Sequence, residues 1–182
     1  AILLKSTFRK ATGFYKYPWL LIRFLPKDDP VLYNMAKLYF SRNPFVRRYF
    51  WGRIAKSVEL MEPEGRILDV GCGNGLLAIF TNGGYVGLDA TIHLSKVKEA
   101  MEIFKSGVEF VDAHIGYIPF ARAFDKVYVL SVFEHLKSEE EIEASLNEIR
   151  RIIKNDGVLI LGLPTENKLY KLVAGIFRRV FK

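Results

Sequence analysis

The densest chemistry in the sequence lies in Asp69-Val70-Gly71-Cys72-Gly73-Asn74-Gly75, set between the apolar pairs Ile67-Leu68 and Leu76-Leu77. A strand running into a glycine turn and then a helix is the natural reading. Glycine accepts positive φ and lets a ligand approach the backbone closely. N–H groups at the helix start then face that ligand. The dinucleotide pattern Gly-x-Gly-x-x-Gly/Ala needs a small residue at position 76, where Leu76 stands. No Gly-Lys-Ser/Thr follows, as a phosphate loop would require. Asp89 comes 19 positions after Val70, at the end of Tyr85-Val86-Gly87-Leu88. An acid there can accept hydrogen bonds from both hydroxyls of a ribose. It could also cap the helix that follows. The glycine turn and the acid together favour the ribose.

Further along, Val111-Asp112-Ala113 ends another apolar run, and Ser131-Val132-Phe133-Glu134-His135 follows the run that closes at Leu130. Histidine titrates near neutrality, so His135, with Glu134 beside it, is the best candidate for a general base. The competing reading has this pair bracing the loop or starting the next helix. His114 and His93 are lesser candidates. Cys72 has no basic residue beside it to lower its pKa and reads as a packing residue. No His/Asp/Glu spacing suggests a metal site.

These residues need elements to hold them. From position 66, apolar runs alternate with helical stretches. Strands are expected over 66–70, 85–88, 108–111, 126–130 and 158–163, and helices over 76–81, 93–104 and 139–154. The runs are nearly continuous in Val, Ile and Leu, as in strands buried on both faces. Alternating β and α predicts a parallel sheet with right-handed crossovers and helices on both faces. Before it, helices are expected over 31–40 and 45–60, between prolines. After it, residues 167–181 read as a helix.

Length and composition agree with one such unit. The chain has 182 residues, 50% of them hydrophobic and 26% charged, which excludes disorder and low complexity. A single Cys excludes a disulfide framework. The net charge of +7 is unevenly spread: +10 over residues 1–56, −7 over 57–165 and +4 over 166–182. The apolar stretch at 17–26 is interrupted by Pro18, Arg23 and Pro26 and is too short to span a bilayer. No signal-peptide pattern opens the sequence, so a cytoplasmic location is expected.

In the order LDVGCGNG, VGLDA, VDA…IPF, FDKVYVLSVFEHL and LNEIRRIIKNDGVLILGLP, the chain resembles the class I S-adenosylmethionine-dependent methyltransferases over about residues 45–165, most closely their small-molecule branch, the type 11 family. The resemblance implies a Rossmann-like sheet with the cofactor across the carboxyl ends of its strands. It implies that Asp69, Gly71 and Gly73 meet the methionine part of the cofactor, with Cys72 inside the same motif and Asp69 reaching the amino group. Asp89 would hold the ribose, Ala90 would lie against the adenine, and Asp112 would accept from the adenine amine with the Ala113 N–H nearby. Ser131 would offer its backbone to the methionine amino group. Three segments follow: a helical lid or extension at 1–62, the cofactor-binding unit at 63–165 and a basic amphipathic helix at 166–182. The segment from Gly75 to Tyr85 is short for the family, so the first helix should be stubby. The loop from Asp112 to Pro119 is longer than usual. The stretch after the fifth strand leaves room for a helix and none for the family's β-hairpin.

The expected reaction is methyl transfer to a small-molecule or lipid-like acceptor. The alternatives are an RNA or protein methyltransferase, or a non-catalytic cofactor-binding or interaction domain. The segment after Leu130 reads Ser-Val-Phe-Glu and lacks the Asn/Asp-Pro-Pro-aromatic pattern of base-N methylation. Tyr33, Tyr39, Phe40, Tyr49, Phe50 and Trp51 suit either a lid or the core. Leu169, Leu172, Val173, Ile176, Phe177 and Val180 form an apolar stripe flanked by Lys168, Lys171, Arg178, Arg179 and Lys182. This helix packs on its own sheet with a solvated basic rim, the more common case, or lies on an anionic bilayer. With the basic N-terminal segment around Trp19 it suits peripheral contact with an anionic membrane better than nucleic acid.

Overall fold

The computed structural model describes residues 30–60, 64–90, 94–102, 104–163 and 167–181. Helix α1 (Pro30–Tyr39) and helix α2 (Pro44–Leu60) come first. Asn43 caps α2, its side-chain oxygen accepting the Phe45 N–H at 2.9 Å, and Pro44 takes the first helical position, where no N–H is needed. Strand β1 (Arg66–Val70), a 3-10 turn (Leu76–Phe80), β2 (Gly84–Asp89), α3 (Leu94–Glu102), β3 (Glu109–Asp112) and β4 (Phe124–Leu130) follow. A second 3-10 turn (Phe133–His135), α4 (Glu139–Ile152), β5 (Ile153–Gly162) and α5 (Asn167–Val180) complete the order. The five strands pair in parallel in the order β3-β2-β1-β4-β5, the Rossmann-like arrangement. The stubby first helix is the 3-10 turn at Leu76–Phe80.

Side chains alternate across the sheet with the strand period of two. Ile67, Tyr85 and Tyr128 face the layer of α1, α2 and α3, together with Trp51, Ile54, Val97 and Met101. Leu68, Val70, Val86, Leu88, Val127 and Val129 face the opposite layer, against Ile142, Leu146 and Ile149 of α4 and Val173 and Ile176 of α5. Asp69, with the parity of Ile67, therefore points to the α1–α2 side. Strands β1 and β2 are buried beyond their first residue, and β4 is buried at Phe124 and over Val127–Val129. Strands β3 and β5 lie at the sheet edges and are only partly covered, unlike the two-sided burial expected of all five.

One further expectation needs correction. The helix before β5 ends at Ile152, and Ile153 already pairs with Phe124. Pairing then jumps to Lys126↔Val158, so Lys154-Asn155-Asp156-Gly157 forms an irregularity inside the strand, where the sequence suggested a turn ahead of it. Of the two roles open to the stripe on α5, the structure shows packing on its own sheet rather than an apolar face free for a bilayer. Val173, Ile176 and Val180 are buried in the core, and Leu172 and Phe177 pack against it. The basic residues Lys168, Lys171, Arg178 and Arg179 are exposed, and Arg179 pairs with Glu143 of α4 at 3.0 Å. Burial against its own sheet is the ordinary fate of such a stripe. The apolar residues around Trp19 and His93 lie outside the described residues. No helix among the described residues is long and apolar enough to cross a membrane.

Candidate functional site

The glycine turn is built by left-handed backbone. Gly71, Gly73 and Gly75 have φ of 68°, 51° and 66°. Leu88 O accepts the N–H groups of both Gly71 (2.7 Å) and Cys72 (3.1 Å), which ties the turn to the end of β2. A Cβ on Gly71 would stand 2.3 Å from Val132 Cγ2, so the turn also touches the loop after β4. Asp89 closes the arrangement: its Oδ2 accepts the Gly73 N–H at 3.1 Å.

Asp69 is 4% exposed and borders this turn. The Tyr85 hydroxyl donates to its Oδ2 at 2.7 Å. Burial pushes the Asp69 carboxyl up to about 7, and the neighbouring Asp89 charge adds to the rise while the Tyr85 hydrogen bond opposes it. Burial also drives the Cys72 thiol well above its usual range, with Asp69 and Asp89 reinforcing the effect. Cys72 is therefore a packed thiol, as its neighbours in sequence suggested.

A cleft of about 240 Å³ opens where the carboxyl ends of β1 and β4 meet α1 and α2. It gathers Asp69, Gly71, Cys72, Gly73, Ser131, Glu134 and His135 from the sheet side. Tyr39, Phe50, Arg53 and Ile54 line it from the helices. Among the described residues Ser131 is the one non-glycine residue with φ in the left-handed region, at 61°. Its N–H donates to Gly162 O at 2.9 Å, so an amino group could meet only its oxygens. The sharp bend at Ser131 feeds the 3-10 turn that carries Glu134 and His135, both exposed at the mouth of the cleft.

Four expected site residues, Asp89, Ala90, Asp112 and Ala113, do not line this cleft. Ala90 and Asp112 are exposed, and Ala113 is half-buried. They sit at the adjacent ends of β2 and β3, where Asp89 pairs with Asp112 and the Ala113 N–H reaches Asp89 O at 3.3 Å. They therefore form a shelf beside Asp89 rather than a wall of the cleft. His114 is exposed, and its Nδ1 accepts the Gly116 N–H at 3.1 Å within its own turn.

The residues that sequence reasoning missed come from packing. Arg53 of α2 donates to Ser131 Oγ and lies 4.8 Å from the Phe50 ring centroid and 5.7 Å from that of Tyr49. Its Nε is buried without a partner, and among the described residues no carboxylate pairs with it. The aromatic group divides between the two roles considered for it. Phe40 and Trp51 are core, Tyr39 and Phe50 line the cleft, and Tyr49 is exposed. Only the count of basic residues near the N-terminus hinted at Arg53, without singling it out.

The chain is similar to several known proteins. It is 26% identical over 132 residues to the tRNA (carboxymethyluridine(34)-5-O)-methyltransferase of Arabidopsis thaliana, covering 71% of this chain and 31% of that protein. It is 28% identical over 145 residues to the ubiquinone biosynthesis O-methyltransferase of Rhodopseudomonas palustris, covering 74% of this chain and 52% of that protein. The chain thus spans about a third to a half of the length of these curated relatives. In fold it is similar to the N-methyltransferase NodS of Bradyrhizobium japonicum, solved in complex with S-adenosyl-L-homocysteine. That comparison has a TM-score of 0.64 at 18% identity and covers 88% of this chain and 84% of that one. Residues 68–161, more than half of the chain, match the methyltransferase domain family, and the chain belongs to it, as a class I methyltransferase fold whose cofactor is S-adenosylmethionine.

Proposed function

We propose that this chain transfers a methyl group from S-adenosylmethionine to a small-molecule acceptor, a hydroxyl in the first instance, held in the cleft between the glycine turn and helices α1 and α2. One observation carries the reading. The Asp69 carboxylate and the left-handed glycine turn, whose Gly73 N–H is held by Asp89, face a cleft whose opposite wall is Arg53, Tyr39 and Phe50. The donor set fits the cofactor chemically. Asp69 suits a cationic amino group, Asp89 suits vicinal hydroxyls, and Arg53 suits a carboxylate.

The cofactor supplies a methyl group already activated by a sulfonium charge. The residues of the chain bind, align and exclude water. Asp69 holds the amino end and Arg53 the carboxylate end of the methionine part. Asp89 holds the ribose, and Ala90, Asp112 and Ala113 form the shelf for the adenine. Tyr39, Phe50 and Ile54 present an apolar wall to the acceptor. His135, at the mouth of the cleft with Glu134 beside it in the chain, takes the proton of the acceptor hydroxyl.

A second reading, an RNA acceptor, is favoured by one observation. Phe45 (82% exposed) and Tyr49 (63% exposed) stand on α2 with exposed Arg42 and Arg48, a surface suited to stacking on single-stranded bases. Labelled-methyl transfer separates the two. Incubation with a panel of phenols and quinols, small amines and unmodified tRNA is expected to label a small hydroxyl acceptor. Labelling of RNA alone would overturn the small-molecule reading. Arg53→Met is expected to weaken S-adenosylhomocysteine binding about tenfold or more, as loss of a hydrogen bond to a charged group does. Unchanged affinity would remove Arg53 from the cofactor site.

A further inference from the structure

Tyr85 is wholly buried, and a buried phenol needs a partner for its hydroxyl. Here that partner is the Asp69 carboxylate at 2.7 Å. Strand register explains the reach. Ile67 pairs with Tyr85 and Asp69 with Gly87, so Tyr85 stands one pair behind Asp69 on the same face. Opposite Asp69 is a glycine, and no side chain intervenes. The ring itself is clamped edge-on by Phe110, with centroids 5.8 Å apart.

The surroundings of Asp69 are otherwise unfavourable to a negative charge. Asp89 of β2, Cys72 of the turn, Tyr128 of β4 and Tyr39 of α1 are the titratable groups near it, and Arg53 of α2 shares the cleft while it hydrogen-bonds Ser131 and Tyr39. Among these groups Tyr85 is the one whose hydrogen bond favours the ionised carboxylate. We propose that Tyr85 is a positioning residue of the cofactor site, whose hydroxyl aims the Asp69 carboxylate and keeps it ionised for the cofactor's ammonium group. The proposal rests on the reading that Asp69 receives that group. A rotatable carboxylate in a dry pocket would spend part of its time turned away or protonated. A fixed donor on one oxygen leaves the other directed and charged.

Calorimetry on the full chain tests this, with S-adenosylhomocysteine and with 5′-methylthioadenosine, which lacks the amino-acid end. Both are titrated between about pH 5 and pH 9, a window bracketing the raised carboxyl. Wild-type affinity for S-adenosylhomocysteine is expected to fall as pH drops below about 7, while affinity for 5′-methylthioadenosine stays level. Tyr85→Phe is expected to move that midpoint upward and to weaken S-adenosylhomocysteine about tenfold at pH 7. In an Asp69→Asn background the same change is expected to cost almost nothing. An unmoved midpoint, or equal losses for both ligands, would overturn the proposal and leave Tyr85 a packing residue. Should Tyr85→Phe not fold, Phe110→Leu, which unclamps the Tyr85 ring, takes its place: an unmoved midpoint there would overturn the proposal. If Asp69→Asn binds S-adenosylhomocysteine as the wild type does, the reading of Asp69 itself fails, a result distinct from a failure at Tyr85.

Discussion

The Asp89 carboxylate accepts the backbone N–H of Gly73, 16 residues earlier, at 3.1 Å, so the acid at the end of β2 and the turn after β1 are one unit. A carboxylate offers about four acceptor positions. The bond to Gly73 therefore orients Asp89 and uses one of these positions. If Asp89 holds the ribose, the same contact couples cofactor affinity to the stability of the turn.

Asp89→Ala is expected to weaken S-adenosylhomocysteine binding by about 1.5–3 kcal/mol. It should also lower stability, because the Gly73 N–H loses its acceptor in a buried place, at a cost of about 1–3 kcal/mol. Asp89→Asn keeps an acceptor for Gly73 and should recover most of the stability and little of the affinity. Calorimetry paired with urea denaturation checks the split. A stability loss with unchanged affinity would assign Asp89 to the turn alone.

Gly71→Ala should disrupt the site rather than merely weaken it. The residue sits at φ 68°, and the added Cβ would lie 2.3 Å from Val132 Cγ2. Left-handed backbone costs a non-glycine residue about 1–2 kcal/mol before any clash. The expected result is a lowered melting temperature and loss of cofactor binding. Wild-type behaviour in both assays would show that the turn can shift without consequence.

Asp69 sets a pH dependence of stability whose sign follows from its raised carboxyl. The folded value of about 7 lies above the ordinary value near 4. Its contribution to stability is thus fully present below about pH 4 and is lost as pH rises through about 7. Without ligand, Asp69→Asn should be more stable than the wild type at pH 8, by on the order of 3 kcal/mol. The gap should close as pH falls towards 4. Denaturant midpoints across that range measure it, and a constant gap would show that Asp69 does not titrate there.

His135→Ala should lower turnover on a hydroxyl acceptor about 10²–10⁴-fold while cofactor affinity is kept. His135→Gln, which can still orient a hydroxyl, should not restore the rate. Single-turnover kinetics on an identified acceptor is the measurement. A rate within twofold of wild type would leave His135 as part of the turn after β4.

Much of this was written locally in the chain. Apolar runs of four to six residues can be read as strands because a strand buried in a parallel sheet needs little beyond its own side chains. The glycine turn and Asp89 are legible because left-handed φ and a strand-end acid are demands on single residues. The order of the motifs was enough to indicate the family and its cofactor. The start of β5 was misread because Asn155-Asp156-Gly157 has turn chemistry, and only pairing with β4 shows that the strand absorbs it as an irregularity.

Which residues meet across the cleft was settled only by tertiary packing. Arg53 and Ser131 are 78 positions apart and touch because α2 lies over the carboxyl ends of β1 and β4. Tyr85 reaches Asp69 because strand parity and register put both on the α1–α2 face. The stripe on α5 would suit a membrane as well as a sheet by composition, and docking against α4 decided for the sheet. Hydrophobic period specifies that a face is buried, not what buries it, and a side chain's partners depend on contacts that no local pattern encodes.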